Sequence, residues 1–166
     1  ATTYLIPKQL FMFPVKLVEY LNEHKINAIC WVVPALTMIS GFNTFKSVIP
    51  QTLHTIAFGS EVFPIKQFNT WRKTLPNCRF INLYGPTEAT GMSCYYEATR
   101  DFQENESIPI GKPFKNTQIL LLTDDNKEAA PGEPGEICIR GTAVTLGYYN
   151  DFTRTFIRKC ISNFRK

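Results

Sequence analysis

The sequence predicts an α/β fold, with a partial parallel sheet and flanking helices followed by a small β-rich lobe. Up to about residue 90, apolar runs alternate with helical segments of about ten residues, which is the pattern of βαβ units. Between residues 90 and 150 no helical period appears, and short strands separated by turns take over. A polar stretch over 100–107 separates the two patterns. We therefore divide the chain into an α/β subdomain over 1–104 and a β-rich lobe over 105–166.

The elements of the first part follow from apolar runs and from proline positions. A short apolar run over 4–6 predicts a strand that Pro7 ends. Pro14 opens a helix, because proline fits the first helical turn, and Leu17, Val18 and Leu21 give that helix an apolar stripe. The remaining predicted elements are a strand over 29–33, a helix over 34–45, a strand over 55–58, a helix over 64–73 and a strand over 78–83.

Composition limits the classes of function. The chain has 166 residues, 44% of them hydrophobic and 13% aromatic, which indicates a globular protein. Its net charge of +4 is a weak basic bias without a basic-aromatic patch, so nucleic acid is not an expected partner. No apolar stretch approaches the roughly 20 residues of a membrane span. The five cysteines form no CxxC pair and no secretory signal precedes them, so we expect reduced thiols and a cytoplasmic protein.

The most informative feature is the run over 82–88, which reads Asn-Leu-Tyr-Gly-Pro-Thr-Glu. It follows a predicted strand, and ligands bind at the carboxyl ends of strands in open α/β sheets. Gly85 lets the backbone come close to a ligand, and Tyr84 offers a flat face for a purine. The hydroxyl of Thr87 can bond a phosphate oxygen, and the carboxylate of Glu88 suits Mg²⁺. Without a ligand, the same run is a strand followed by a Gly-Pro turn.

A second pattern lies downstream, where 132–141 read GEPGEICIRG and 146–150 read LGYYN. Together with the run over 82–88, in this order, it resembles the adenylate-forming enzymes. The resemblance is greatest to the amino-acid adenylation domains of nonribosomal peptide synthetases and to the D-alanine–carrier-protein ligases. A Gly-containing turn after a strand, over 56–61, fits the same families. The resemblance covers about residues 4 to 156, nearly the whole chain.

This resemblance implies an activity and a lobe. Members of these families join a carboxylate to ATP and form acyl-AMP and pyrophosphate, so ATP and Mg²⁺ are the expected cofactors. An amino acid or D-alanine, a small carboxylate, would then pass to the thiol of a carrier protein's phosphopantetheine arm. The family's α/β subdomain is followed by a β-barrel-like lobe, which we expect here over 105–166.

The resemblance also implies site residues. Thr87 would contact the α-phosphate and Glu88 would bind Mg²⁺, so these are the expected catalytic residues. Asn82 would bond the adenine amino group, while Tyr84 and the turn over 59–61 would enclose the ring. The expected nucleotide-binding residues are Gly59, Ser60, Glu61, Asn82, Leu83, Tyr84, Gly85 and Thr87.

A pocket for the acid is implied by the same match. Its expected lining is Trp31, Ile56, Phe58, Leu83, Gly91 and Met92. These residues are mostly apolar and bulky, which suits a small or apolar amino acid. The alternative for Trp31 and Phe58 is a place in the hydrophobic core.

Three family features are missing from the sequence: a Ser/Thr/Gly-rich loop with a phosphate-binding Lys, a Thr-Gly-Asp after Phe156, and a small C-terminal domain with a catalytic Lys. We therefore expect an internal fragment, inactive alone, with an atypical tail over 158–166 and an uncovered edge that favours self-association. Two alternatives stay open at this point. One is a non-catalytic nucleotide-binding or carrier-interacting module derived from such an enzyme, and the other is a fragment of an acyl-CoA synthetase.

Overall fold

The structure, a computed structural model, describes residues 2–157. The chain divides into two units. The first combines Ala1–Asn82 with Tyr96–Pro109, and the second combines Leu83–Tyr95 with Ile110–Lys166. The boundary expected between 104 and 105 therefore falls inside the first unit, and the second unit begins within a strand.

The helices and strands of the first part lie close to their predicted bounds. They are α1 (Pro14–Glu23), β1 (Ala28–Val32), α2 (Val33–Gly41), β2 (Thr55–Gly59), α3 (Ile65–Thr74) and β3 (Arg79–Tyr84). The helix expected over 34–45 ends at Gly41, because Asn43 takes a left-handed conformation with φ of +55° before a short 3₁₀ turn at Thr44–Lys46.

The strand expected over 4–6 does not form. These residues have irregular backbone, and a 3₁₀ helix at Lys8–Met12 follows them. Three residues next to a proline, which has no N–H to donate, supply too few ladder hydrogen bonds to fix a strand. Leu5 consequently lies 90% exposed.

One face of the parallel β1–β2 pair carries the core of the first unit. Ile29 lies opposite Ile56 and Trp31 lies opposite Phe58 in the register of the two strands. The buried side chains of α1, α2 and α3 form one hydrophobic cluster with this face. On the opposite face of β1, Ala28, Cys30 and Val32 are exposed.

Phe68 of α3 lies at the centre of that core. Its ring centroid is 5.9 Å from that of Phe58, 5.6 Å from Phe63, 5.5 Å from Phe80 and 5.8 Å from Phe102. Most of these pairs have the edge-to-face geometry that aromatic quadrupoles favour. The ring therefore joins β2, β3 and the loop after β4 to one helix.

The loop over 98–109 is fastened to α3 and to itself. Arg72 donates to the carbonyl of Ala98 at 2.8 Å and pairs with Asp101 at 2.8 Å. The guanidinium of Arg100 donates to the carboxylate of Glu106 at 2.7 Å and 3.0 Å. The same carboxylate accepts the N–H of Gln103 at 2.6 Å. These bonds give a long loop a defined path.

The regular elements of the second unit are mostly strands. Its elements are the end of β3, a 3₁₀ turn at Thr87–Ala89, the start of β4 (Cys94–Glu97), β5 (Lys112–Pro113), β6 (Thr117–Leu122), β7 (Glu136–Gly141) and α4 (Phe152–Ile157). β6 and β7 pair antiparallel with Leu120 opposite Cys138, and β4 pairs antiparallel with β5. The strand order is β1-β2-β3-β4-β5 in one sheet and β6-β7 in the other.

The mixed α/β fold is confirmed, and the part expected to be barrel-like contains strands without a closed barrel among residues 2–157. Among residues 2–157, β6 and β7 form a two-stranded sheet and no barrel closes. Closure requires several strands with a matched tilt and stagger, whereas this hairpin supplies only one ladder.

Truncation of the central ring should weaken the fold. Phe68→Ala removes a fully buried phenyl group, so the free energy of unfolding should fall by about 3–5 kcal/mol. Urea unfolding followed by circular dichroism measures this change. Val62→Ala is the matched control, because Val62 is 78% exposed and its truncation should change stability little. An equal loss in both variants would contradict the central role of Phe68.

The bonds that Arg100 and Gln103 donate to the carboxylate of Glu106 should make the free energy of unfolding depend on pH in the acid range. The hydrogen bonds from Arg100, and then that from the backbone of Gln103, hold the pKa of Glu106 at about 2, below its ordinary 4.5. Because the folded pKa is depressed, the ionised carboxylate stabilises the fold above pH 4.5. That contribution is lost as the pH falls from 4.5 towards about 2.

Thermal unfolding across this pH range tests the contribution of the Arg100–Glu106 ion pair. Glu106→Gln should lower Tm at neutral pH, and the difference from the unmodified chain should disappear near pH 2. Glu104→Gln, a change of the same kind at an exposed position in the same loop, is the control. A Tm difference for Glu106→Gln that stays constant from pH 6 to pH 2 would show that the ion pair does not carry the effect.

Candidate functional site

The turn after β2 contains three of the expected nucleotide-binding residues. Gly59 is buried at the end of the strand, while Ser60 and Glu61 are exposed. Ser60 has φ of +74°, a left-handed conformation that is costly for a residue with a Cβ. Such strain persists where the surrounding structure fixes it, and it is common at ligand sites. The backbone after β2 is therefore held in a specific shape at the carboxyl end of a strand.

The pocket residues of the first unit lie mostly in the core. Ile56 is 0% and Phe58 is 1% exposed, and Phe58 packs against Phe63 with ring centroids 5.0 Å apart. Trp31 is partly exposed and meets Phe11 edge-on at 5.2 Å. Phe58 therefore lies in the core, which was the alternative stated for it, and Ile56 is buried beside it, whereas Trp31 is partly exposed.

Asn82, on β3, is oriented by two backbone carbonyls. Its Nδ2 donates to the carbonyl of Pro109 at 2.9 Å and, more weakly, to that of Ile108 at 3.4 Å. Since carbonyls only accept hydrogen bonds, the amide nitrogen must face them. The amide oxygen Oδ1 is thereby turned away as an acceptor. Sequence reasoning missed Ile108 and Pro109, because a carbonyl has no signature in the side-chain pattern.

The turn after β3, in the second unit, depends on close backbone contact at Gly85. A Cβ at this position would clash with the carbonyl oxygen of Gly91 and would lie 2.5 Å from the nitrogen of Ser93 and 2.7 Å from the Cα of Met92. The N–H of Ser93 donates to the carbonyl of Tyr84 at 2.7 Å, which closes the turn. Only glycine leaves room for this approach.

The short 3₁₀ helix at Thr87–Ala89 presents the two expected catalytic residues. Thr87 is exposed and Glu88 is partly exposed. The N–H groups of Ala89 and Thr90 donate to the carbonyls of Pro86 and Thr87, both at 3.0 Å. The turn ends at Thr90 and Gly91, which have φ of +56° and +96°. Met92, expected in the pocket, is 41% exposed beside them.

Glu88 has a partner that sequence reasoning did not identify. The hydroxyl of Tyr148 donates a hydrogen bond to Oε1 of Glu88. Tyr148 belongs to the LGYYN segment that contributed to the family resemblance, so the residue itself was noticed. Its contact with Glu88 was not, because the two residues are sixty positions apart in the sequence. The structure thus joins the two sequence motifs of the second unit through side chains.

The residues fit a cation that arrives with phosphates. Among residues 2–157, no group of three or more His, Cys, Asp or Glu side chains could hold a metal by itself. Mg²⁺, however, usually takes one or two carboxylates and completes its octahedron with substrate phosphates and water. The carboxylate of Glu88 next to the exposed hydroxyl of Thr87 matches that donor set.

Two of the buried cysteines, Cys78 and Cys94, have thiols that burial keeps protonated. Burial raises the pKa of the Cys78 thiol to about 11 and also raises the pKa of the Cys94 thiol. Both thiols therefore stay protonated at neutral pH, and a thiol in this form is a poor nucleophile. Cys30 is exposed and Cys138 is buried, whereas Cys160 lies outside the described residues.

Comparison with known families matches most of the chain. The family model for AMP-binding enzymes covers residues 1–149. The chain is 30% identical, over 149 residues, to the L-proline–[L-prolyl-carrier protein] ligase of Pseudomonas fluorescens, covering 90% of this chain and 30% of that protein. It is 28% identical, over 153 residues, to the D-alanine–D-alanyl carrier protein ligase of Bacillus licheniformis, again covering 90% and 30%.

A solved structure of an NRPS protein containing adenylation and PCP domains also resembles this chain. It has a TM-score of 0.73 and 28% identity, with 86% of this chain and 28% of that chain covered. The chain thus spans about 30% of the length of the relatives described. Separately, no helix within residues 2–157 combines the length and the apolar character needed to cross a bilayer.

Adding one methyl group to the β3 turn should disrupt it. Gly85→Ala places a Cβ against the backbone of Gly91 to Ser93, which is not able to move as a flexible side chain would. We expect a loss of several kcal/mol in the free energy of unfolding, as is usual for severe overpacking. Chemical denaturation measures it.

The chain offers a matched glycine as control. Gly41, at the end of α2, has no atom within 4 Å of an added Cβ. Gly41→Ala should therefore be neutral or stabilising, since alanine loses less backbone entropy on folding. Similar stability losses at positions 85 and 41 would rule out the steric explanation.

Proposed function

Because this chain belongs to the AMP-binding enzyme family, we propose that it is part of a ligase that activates an amino acid as an acyl-adenylate for transfer to a carrier-protein thiol. The names of the two ligases that it resembles, which specify L-proline and D-alanine with carrier proteins, support this class of acid and of partner. The observation that carries the proposal is the fixed amide of Asn82, whose nitrogen is taken by backbone carbonyls.

The orientation of Asn82 suits adenine. A purine with an exocyclic amino group at position 6 offers a donor, and Oδ1 of Asn82 is the acceptor that its amide orientation provides. A purine with a carbonyl at the same position would place one acceptor against another. Asn82 therefore distinguishes adenine from hypoxanthine by hydrogen bonding, without requiring any movement of the amide.

Tyr84, Thr87 and Glu88 supply the remaining contacts that we propose to the nucleotide. The ring of Tyr84 stacks on the base, and the exposed hydroxyl of Thr87 bonds an α-phosphate oxygen. The carboxylate of Glu88 shares Mg²⁺ with the phosphates, and the cation neutralises charge that develops on them. The strained turn at Gly59–Glu61 borders the base through its backbone.

For the acid, we propose Trp31, Leu83, Gly91 and Met92 as separate contact residues, as the family match implies. Each of these presents at least partial surface. Ile56 and Phe58 belong to the same family match, and both are fully buried.

Nucleotide discrimination tests the proposal directly. We expect AMP to bind the chain more tightly than IMP, and Asn82→Ala to remove that preference by weakening AMP alone. The expected loss for AMP is about 5- to 150-fold, the equivalent of the 1–3 kcal/mol that an unsatisfied polar group costs. Asn82→Asp should be at least as damaging, since a carboxylate cannot donate to Ile108 or Pro109. Saturation-transfer NMR titrations give all the affinities.

Stacking is tested in the same titrations. Tyr84→Ala should weaken AMP and IMP equally, by about 1–3 kcal/mol, because every base has a π face. Tyr149→Ala is the control, since Tyr149 is 94% exposed. Equal affinity for AMP and IMP in the unmodified chain, or AMP binding unaffected by Asn82→Ala and Tyr84→Ala, would overturn the proposed nucleotide contacts.

A further inference from the structure

One contact in the second unit is not explained by the fold alone. The hydroxyl of Tyr148 donates to Oε1 of Glu88, and both side chains are partly buried. If Tyr148 contributed only the packing of its ring, no hydrogen bond from its hydroxyl to a carboxylate would be needed. The pairing places a fixed donor on the side chain that we propose as a magnesium ligand.

The segment over 143–148 is attached to the 3₁₀ turn by two further hydrogen bonds. The N–H of Thr145 donates to the carbonyl of Glu88 at 2.8 Å. The hydroxyl of Thr90 donates to the carbonyl of Ala143 at 2.6 Å. Both the backbone and the carboxylate of Glu88 are thus bonded by this one segment.

The other end of the segment is fixed by α4. The N–H of Tyr148 donates to Oγ1 of Thr155 at 2.8 Å, and that hydroxyl donates to the carbonyl of Asp151 at 2.8 Å. Gly147 has φ of +135°, and a Cβ there would clash with the side chain of Thr155. The backbone on both sides of Tyr148 is therefore constrained.

The neighbours of Tyr148 show that its inward position is specific. Leu146 is 78% exposed and Tyr149 is 94% exposed, so the apolar side chains on either side lie in solvent. Of the two adjacent tyrosines, only Tyr148 is turned towards Glu88. If this segment only covered the turn, its most apolar side chain, Leu146, would be buried in preference to the phenol of Tyr148.

We propose that Tyr148 is a positioning residue that holds the carboxylate of Glu88 in the orientation that a divalent cation requires. This inference rests on the proposed function of Glu88 as a cation ligand. An unrestrained glutamate must lose its side-chain freedom when it binds a metal, whereas a hydrogen bond to Oε1 restricts the carboxylate beforehand. Groups that bond metal-ligating carboxylates commonly change metal affinity by 10- to 100-fold when they are removed.

Paramagnetic broadening by Mn²⁺ measures the effect without requiring catalysis. Mn²⁺ replaces Mg²⁺ because it prefers the same oxygen ligands in octahedral geometry. In a titration of the labelled chain with MnCl₂ in the presence of ATP, whose phosphates complete the coordination shell, the amide signals of 87–90 should broaden first. Tyr148→Phe, which removes only the hydroxyl, should raise the Mn²⁺ concentration for half-broadening by about tenfold or more. Tyr149→Phe, the same change at the next position, should leave it unaltered.

Glu88→Gln separates this inference from the function on which it rests. If Glu88→Gln abolishes the localised broadening while Tyr148→Phe matches the unmodified chain, then Glu88 is the ligand and the positioning role of Tyr148 is overturned. If Glu88→Gln leaves the broadening unchanged, then the proposed role of Glu88 fails and the inference fails with it.

A measurement on the unmodified chain covers the case in which Tyr148→Phe does not fold. A nuclear Overhauser effect between the ring protons of Tyr148 and the γ-methylene of Glu88 should be present. The side-chain couplings of Glu88 should indicate a single rotamer. Absence of the Overhauser effect, or an averaged rotamer, would overturn the proposal whatever the variants show.

Discussion

The first unit depends on the packing of Phe68. This single ring of α3 contacts Phe58 on β2 and Phe80 on β3, so the positions of both strands are fixed relative to one helix. Because Asn82 and the turn at Gly59–Glu61 lie at the ends of these strands in the same unit, the core determines where the side chains at those positions can point. Phe102 brings the loop over 98–109 to the same ring. The carbonyls that orient Asn82 come from this loop. The loop and β3, which carries Asn82, are therefore fixed by the same core.

In the second unit the corresponding constraint is the lack of a side chain at Gly85. The backbone of Gly91 to Ser93 passes so close to Gly85 that no Cβ fits between them. This approach lets the N–H of Ser93 bond the carbonyl of Tyr84, which makes the chain turn back at once after β3. Thr87 and Glu88 lie within the turn, so they are presented by a backbone with little freedom. The proline in the motif adds a second restriction, since its φ is fixed.

The parts of the fold that depend on local patterns could be predicted from the sequence. The parts that depend on which strands pair with one another could not. Buried strands such as β2 and amphipathic helices such as α1 follow from the spacing of apolar residues within a few turns. The run over 4–6 has the same apolar character as a strand, but whether it pairs depends on residues far along the chain. The barrel-like lobe was expected from the family, and no local feature of β6 and β7 could test it. The motif residues were found because their types are unusual together, whereas Ile108 and Pro109 act through carbonyls that every residue has.

The functional groups of the motif over 82–88 and the groups that orient them come from different parts of the sequence. Asn82 and Glu88 supply an amide and a carboxylate, but each side chain is directed by a segment that is distant in sequence and lies in the same unit. For Asn82 the directing groups are backbone carbonyls, so substitutions at Ile108 would keep the group that matters. For Glu88 the directing group is a side-chain hydroxyl, which phenylalanine at position 148 would not supply. A position that acts through its backbone tolerates a change of side chain, whereas a position that acts through a hydroxyl does not, although both fix the orientation of another side chain.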